Sequence, residues 1–239
     1  MITAVFGPLV TPRQILDPEL SGGLPYDGAS MAALSEAARY ISEFLTQTHP
    51  ALGRRGAVCP FAGGGLQREA ITLTASSQSR TNRESVISSI MGLAKAFSDD
   101  QDASGRVPDE IYRAVVVVFP HLPLAEASAL VSSVQQEIKP FFVARGLMIG
   151  EFFPGCETGG LHNPEFRPLN TPFCSLAIRH MTTSDLPFMM SDDRYISHYL
   201  ERFDIEGTRR LGSLIARRGL APEQIAAIQQ ILGPVAVNN

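Results

Sequence analysis

The chain has 239 residues, 44% hydrophobic and 18% charged, which is enough apolar material for one substantial core or two small ones and too much for a disordered chain. Its 20 basic and 24 acidic side chains give a formal charge of -4 with no sustained basic run. That balance argues against nucleic acid or an anionic membrane as the main partner and points to small molecules or proteins, leaving a homodimer open. Three widely spaced cysteines, Cys59, Cys156 and Cys174, match neither a disulfide framework nor a zinc motif. The first twenty residues include Pro8, Pro12, Pro18, Asp17 and Glu19 with no basic start, and no segment is apolar for long enough to span a bilayer. A cytoplasmic protein is expected.

Residues 1–28 carry Pro and Gly without a sustained period and read as an extended arm. Over residues 30–46 the apolar positions Met31, Leu34, Ala38, Ile41, Phe44 and Leu45 recur at three- and four-residue spacing, which predicts an amphipathic helix ending before Pro50. A Gly-rich loop follows, and residues 70–74 then alternate as a strand. Val86, Ile90, Leu93, Ala94 and Phe97 mark one face of a helix over 82–97, and residues 98–108 read as a surface loop. The run Val115-Val116-Val117-Val118 suits a strand at the centre of a sheet, over 112–119.

A third helix is predicted over 123–139, with strands over 147–153 and 173–181. The remainder reads as helices over 185–203, 206–218 and 222–232, with Gly219 as a C-cap and Pro222 at a helix start. This order gives an α+β fold, a small mixed β-sheet covered by helices. It is expected to form a single domain over 1–239, with residues 1–28 as its arm and a helical C-terminal part, 185–239, packed on the sheet. Arg209, Arg210, Arg217 and Arg218 read as a solvated helical face rather than a DNA-reading surface.

The stretch with most chemistry is the Gly/Pro-punctuated loop 155–169 between two strand-like runs, which holds His162 and Arg167. An imidazole there can ligate a metal or haem iron, and a guanidinium can fork onto a carboxylate or phosphate. Cys59, followed by Pro60, Phe61 and three glycines, can be a haem thiolate, a redox thiol or a packed core thiol. The Gly63-Gly64-Gly65 run could wrap an anion but lacks the ending of a P-loop. His180 alternates with Arg179 and Met181, so it points to the opposite sheet face from them; with Phe166 and Phe61 it is a candidate for lining a substrate pocket. Asp185 reads as a helix N-cap. Neither a nucleophile elbow nor a paired-carboxylate motif supports a hydrolase.

The runs Leu147-Met148-Ile149-Gly150-Glu151-Phe152, Asn163-Pro164-Glu165-Phe166-Arg167-Pro168-Leu169 and Ala177-Ile178-Arg179-His180-Met181, with Val58-Cys59-Pro60-Phe61, resemble an uncharacterised bacterial and fungal family. The resemblance covers roughly residues 54–203, and the family's members are often encoded near natural-product biosynthesis genes. More distantly, Cys59 with Ala62 and Leu66, and Gly160-Leu161-His162 with Pro164 and Arg167, resemble the haem-dependent N-oxygenases of amines and guanidines, with Asn163 separating the histidine from the proline. That resemblance implies haem iron with His162 as its axial ligand, Arg167 or Arg179 on a propionate, and Cys59 lining the cavity or replacing His162 as a thiolate ligand. It implies a monooxygenase of natural-product biosynthesis that N-oxygenates an amino acid or related amine with an external electron donor. Two alternatives stand beside it. One is a haem-binding or haem-sensing protein without turnover, and the other is a cofactor-free enzyme or accessory binder of a biosynthetic intermediate, using Arg167, His180 and Cys59 around an apolar pocket.

Overall fold

A computed structural model describes residues 5–99 and 109–218. Its strands, β1 (Ile71–Ala75), β2 (Ala114–Val118), β3 (Leu147–Phe152) and β4 (Ser175–His180), form one sheet in the order β1-β2-β4-β3. β2 runs parallel to β1, with Ile71 opposite Ala114, and antiparallel to β4, with Ala114 opposite Arg179. The polyvaline run is therefore flanked by strands on both sides, as its β-branched continuity requires. The expected α+β fold with a mixed sheet is the one the chain adopts.

The helices are α1 (Pro12–Leu16), α2 (Pro18–Ser21), α3 (Gly28–Arg39), α4 (Ala62–Gln67), α5 (Arg83–Asp99), α6 (Leu124–Val143), α7 (Leu186–Met189) and α8 (Asp193–Arg218). The chain divides into two compact units, one comprising residues up to 139 with 148–180 and the other 140–147 with the residues from 181 on. In the first unit Leu34, Ala37 and Ala38 of α3, with Ile41, pack on Ile71, Leu73 and Ala75 of β1, Val116 and Val118 of β2, and Phe173. Strand alternation turns Val115, Val117, Leu176, Ile178 and His180 to the other face, where Phe97 of α5 meets His180.

The N-terminal arm is only partly extended. Residues 5–10 lie along the open edge of β1, where Val10 and Leu73 exchange both backbone bonds, at 2.9 and 2.7 Å, and the Gly7 N–H donates to Ala75 at 3.1 Å. The arm then turns into α1 and α2, because Thr11 and Gln14 form a reciprocal capping box and Pro12 and Pro18 occupy first helical positions. The helix predicted over 30–46 changes type, since residues Tyr40–Leu45 form a π-helix. The Ser42 and Thr46 hydroxyls donate back to the carbonyls of Ala38 and Ser42 there, competing with the regular ladder. α6 runs through Pro140 to Val143 rather than stopping at 139.

In the second unit the predicted helix over 185–203 starts instead as a 3-10 turn, Thr183–Asp185, followed by α7. Asp185 stands at the N-cap position of α7 but makes no side-chain cap there; its carboxylate instead accepts from the backbone N–H and hydroxyl of Thr182, the N-cap of the 3-10 turn, at 2.7 and 3.2 Å. The two helices predicted over 185–218 are joined as α8 across a kink at Asp204, where φ is 42 and ψ is -120. Leu186, Met189, Tyr195, Ile196, Tyr199 and Leu211 are among its buried apolar residues, and the Tyr199 hydroxyl donates to the Thr183 carbonyl at 2.7 Å. Arg209 and Arg210 pair with Glu206. The loop expected over 98–108 falls largely, and Gly219, Pro222 and the helix over 222–232 fall wholly, outside the described residues. No helix among the described residues is long and apolar enough to cross a membrane.

Candidate functional site

Antiparallel pairing of β2 with β4 places the end of β4 beside the start of β2, so His180 meets residues about seventy positions earlier in the chain. A 3-10 turn, Glu110–Tyr112, leads into β2 and brings Glu110 and Arg113 to that end. The His180 ring is 5% exposed and stacks on Phe97 from the last turns of α5, with centroids 4.7 Å apart. The Arg113 guanidinium lies 4.8 Å from the centroid of the same Phe97 ring. His180 Nδ1 stands 3.5 Å from the Glu110 carboxylate, and Arg179 donates to the His180 carbonyl at 3.0 Å.

A carboxylate only accepts, so the Glu110 contact favours the tautomer with its proton on Nδ1, which would leave the lone pair on Nε2. Nε2 is buried and has no hydrogen-bond partner among the described residues. Burial first, and then the Arg113 charge, lower the imidazole from its ordinary 6.5 to about 4. The ring is therefore neutral at physiological pH, a base or ligand held away from water with a carboxylate behind it.

A second group of predicted residues gathers around the loop 154–169. Its ends meet where the Phe153 N–H donates to Leu169 at 3.2 Å, which makes it an Ω-loop packed by its own side chains. Phe166 is buried and stacks on His49 at 4.7 Å, Asn163 donates to the Ala51 carbonyl at 2.8 Å, and the Tyr40 hydroxyl donates to Pro168. Gly53, at φ 75, lets the His162 backbone come so close that a Cβ there would lie 2.7 Å from the His162 carbonyl oxygen. Arg167 donates to Pro164 in its own loop. The His162 side chain is exposed and makes no hydrogen bond or ring contact among the described residues.

Cys59 is a half-buried free thiol whose backbone N–H donates to Leu45, the last residue of the π-helix, at 2.8 Å. Burial pushes the Tyr40 hydroxyl well above its ordinary value, with the Cys59 sulfur adding to the effect, so Cys59 belongs to the bed of this loop. Phe61 is half-buried and its carbonyl accepts from Gly65 as α4 begins. The three glycines are thus helical rather than an anion-wrapping turn. Gly64 exists for close approach, because a Cβ there would sit 2.4 Å from the Tyr112 ring.

The predicted residues therefore separate into His162, Phe166, Arg167 and Cys59 around the loop, and Arg179 and His180 on opposite faces at the end of β4. Glu110, Arg113, Phe97 and His49 escape the sequence reading. His49 had a usable signal, preceding Pro50, and its Nδ1 accepts from the Ala51 N–H at 3.2 Å as a cap. A groove of about 760 Å³ runs along α3 between Ala29, Ala33, Glu36, Arg39 and Pro120, and none of these is a predicted site residue. No three His, Cys, Asp or Glu side chains converge into a metal cage among the described residues.

The family model for a domain of unknown function, DUF6875, matches residues 34–213, well over half of the chain. No curated protein and no solved structure matches it.

Proposed function

We propose, for a chain that belongs to the DUF6875 family, that it binds and acts on a small molecule, with His180 as its acid–base or ligand-holding group. The observation that carries this reading is the buried Nε2 lone pair of His180, unsatisfied among the described residues, on a ring oriented by Glu110 and Phe97. A buried polar atom left without a partner costs roughly 1–3 kcal/mol, so its retention asks for a use. A lone pair on a neutral imidazole takes a hydroxyl or ammonium proton, which amines, amino acids and hydroxy acids all carry. This is the cofactor-free reading of the sequence, centred on His180.

Two measurements test it. Long-range proton–nitrogen NMR on imidazole-labelled protein near neutral pH should find His180 neutral with its proton on Nδ1. A thermal-shift screen of amino acids, amines and hydroxy acids should then find stabilisation that His180→Phe abolishes. A His180 protonated on Nε2, or ligands that stabilise both proteins equally, would sink the proposal.

Haem-dependent N-oxygenation is a second reading, supported by the exposed His162 imidazole five residues before Arg167. His162 would hold the iron there, and Arg167 would leave its bond to the Pro164 carbonyl to meet a propionate. The haem would supply oxygen activation, and the chain would orient the amine. Haem titration followed by dithionite and carbon monoxide separates the readings. A stoichiometric Soret band lost in His162→Ala favours haem, and no band leaves the His180 reading alone.

A further inference from the structure

The run Gly63-Gly64-Gly65 lets α4 come hard against the 3-10 turn Glu110–Tyr112. A Cβ on Gly64 would strike the Tyr112 ring, and one on Gly65 would lie 2.8 Å from the Tyr112 carbonyl oxygen. Arg68, the C-cap of α4, then reaches across the same turn. Its guanidinium lies 4.2 Å from the centroid of the Tyr112 ring, its Nε donates to the Asp109 carboxylate at 3.0 Å, and its Nη1 donates back to the Gly64 carbonyl at 3.2 Å. Asp109 and Tyr112 bracket Glu110, and the Tyr112 N–H donates to the Asp109 carbonyl at 2.8 Å to close the turn. Asp109 itself is held at φ 52, a left-handed conformation that Asp and Asn enter more readily than most side chains.

We propose that Arg68 is a positioning residue for the His180 site: by clamping Asp109 and Tyr112 it fixes the turn that sets the Glu110 carboxylate 3.5 Å from His180 Nδ1. The proposal rests on the reading of His180 as the group that meets the ligand. A guanidinium suits this clamp because it lays its plane on an aromatic ring while its edge donates to a carboxylate and a carbonyl, which an ammonium cannot do together. The Arg68 and Asp109 side chains are 41% and 50% exposed, and an ion pair so exposed contributes little to overall stability. Its effect lies in where it holds Glu110. The adjacent pair Arg13–Glu69, at 3.2 Å, is a ready comparison, since it starts from the next residue after Arg68 and ties this end of α4 to α1 instead.

The test is long-range proton–nitrogen NMR on the full-length, imidazole-labelled protein near neutral pH. The wild-type His180 ring should carry its proton on Nδ1. Arg68→Ala should lower the ratio of the Nδ1–H to the Nε2–H form by about threefold or more, the worth of one modest hydrogen bond. Asp109→Gly, which leaves the left-handed backbone open and removes the carboxylate, should lower it as well. His49 and His121, in the same compact unit, should keep their signals in both variants, and Arg13→Ala should leave the His180 ratio as it is.

A wild-type ring protonated on Nε2 would remove the His180 reading, and this proposal with it. A wild-type ring protonated on Nδ1, with an unchanged ratio in Arg68→Ala or in Asp109→Gly, would overturn the proposal and leave that reading standing. So would an equal change in Arg13→Ala, or one shared by His49 and His121, because either would report a general loosening rather than a clamp on Glu110.

Discussion

The imidazole of His180 stacks on the Phe97 ring with only 26° between the planes, and its Nδ1 faces the Glu110 carboxylate at 3.5 Å. The buried ring takes a proton only near pH 4, against an ordinary 6.5. The unfolded chain therefore binds a proton across the interval where the folded one does not. The resulting stability is fully present above about pH 6.5 and is lost as the pH falls toward 4, amounting to at most about 3 kcal/mol. Urea unfolding across this interval should show the loss in the wild type and its absence in His180→Phe. Parallel pH profiles would count against a buried neutral histidine.

Phe166 anchors the loop 154–169 by stacking on His49, with Phe44 also beside it. Phe166→Ala should cost about 3–5 kcal/mol, the usual range for emptying a buried aromatic position. Hydrogen exchange should rise across the loop and residues 48–53 together, because Asn163 and His162 join those segments. Faster exchange in the loop alone would mean that the two segments open independently.

Gly53→Ala is expected to be far more harmful than an added methyl group on the surface. Its positive φ disfavours any side chain, and the new Cβ would press on the His162 carbonyl. A loss of about 2 kcal/mol in denaturant unfolding is expected. A change below about 0.5 kcal/mol, ordinary for an exposed position, would contradict the close approach.

Asp204 gives the opposite sign. Its backbone, at φ 42 and ψ -120, lies in territory that glycine enters at little cost. Asp204→Gly should raise the melting temperature, with a gain of about 1 kcal/mol. A fall would show that the carboxylate stabilises the kink by more than the backbone strain costs.

The sheet was legible because its signals are local. The four valines specify a buried strand, and residues 147–153 and 173–181 hold their strands to within two residues at each end. α1 was legible in principle, since Thr11-Pro12 followed by Gln14 is a capping signature, but five residues are too few for apolar periodicity to register. The helix predicted over 123–139 ends one residue short of Pro140, whereas α6 passes through it to Val143. His162 was prominent in the sequence because of its glycine neighbours, yet its side chain faces solvent. The sequence marks His180 only as a pocket-lining candidate, because Phe97, Glu110 and Arg113, which define its environment, are distant in sequence and come together only when β2 pairs with β4.

The family match begins at residue 34, but the edge of β1 is covered by residues 5–10, and the Tyr26 hydroxyl holds that cover by donating to the Pro8 carbonyl. The conserved-domain boundary and the folding boundary are therefore different places in this chain. A fragment trimmed to the family limits would leave the Leu73 amide and the Leu73 and Ala75 carbonyls unpaired on that edge, an invitation to pair with a neighbouring molecule. For expression, the residues that cover this sheet edge are ones that a family-based trimming would discard.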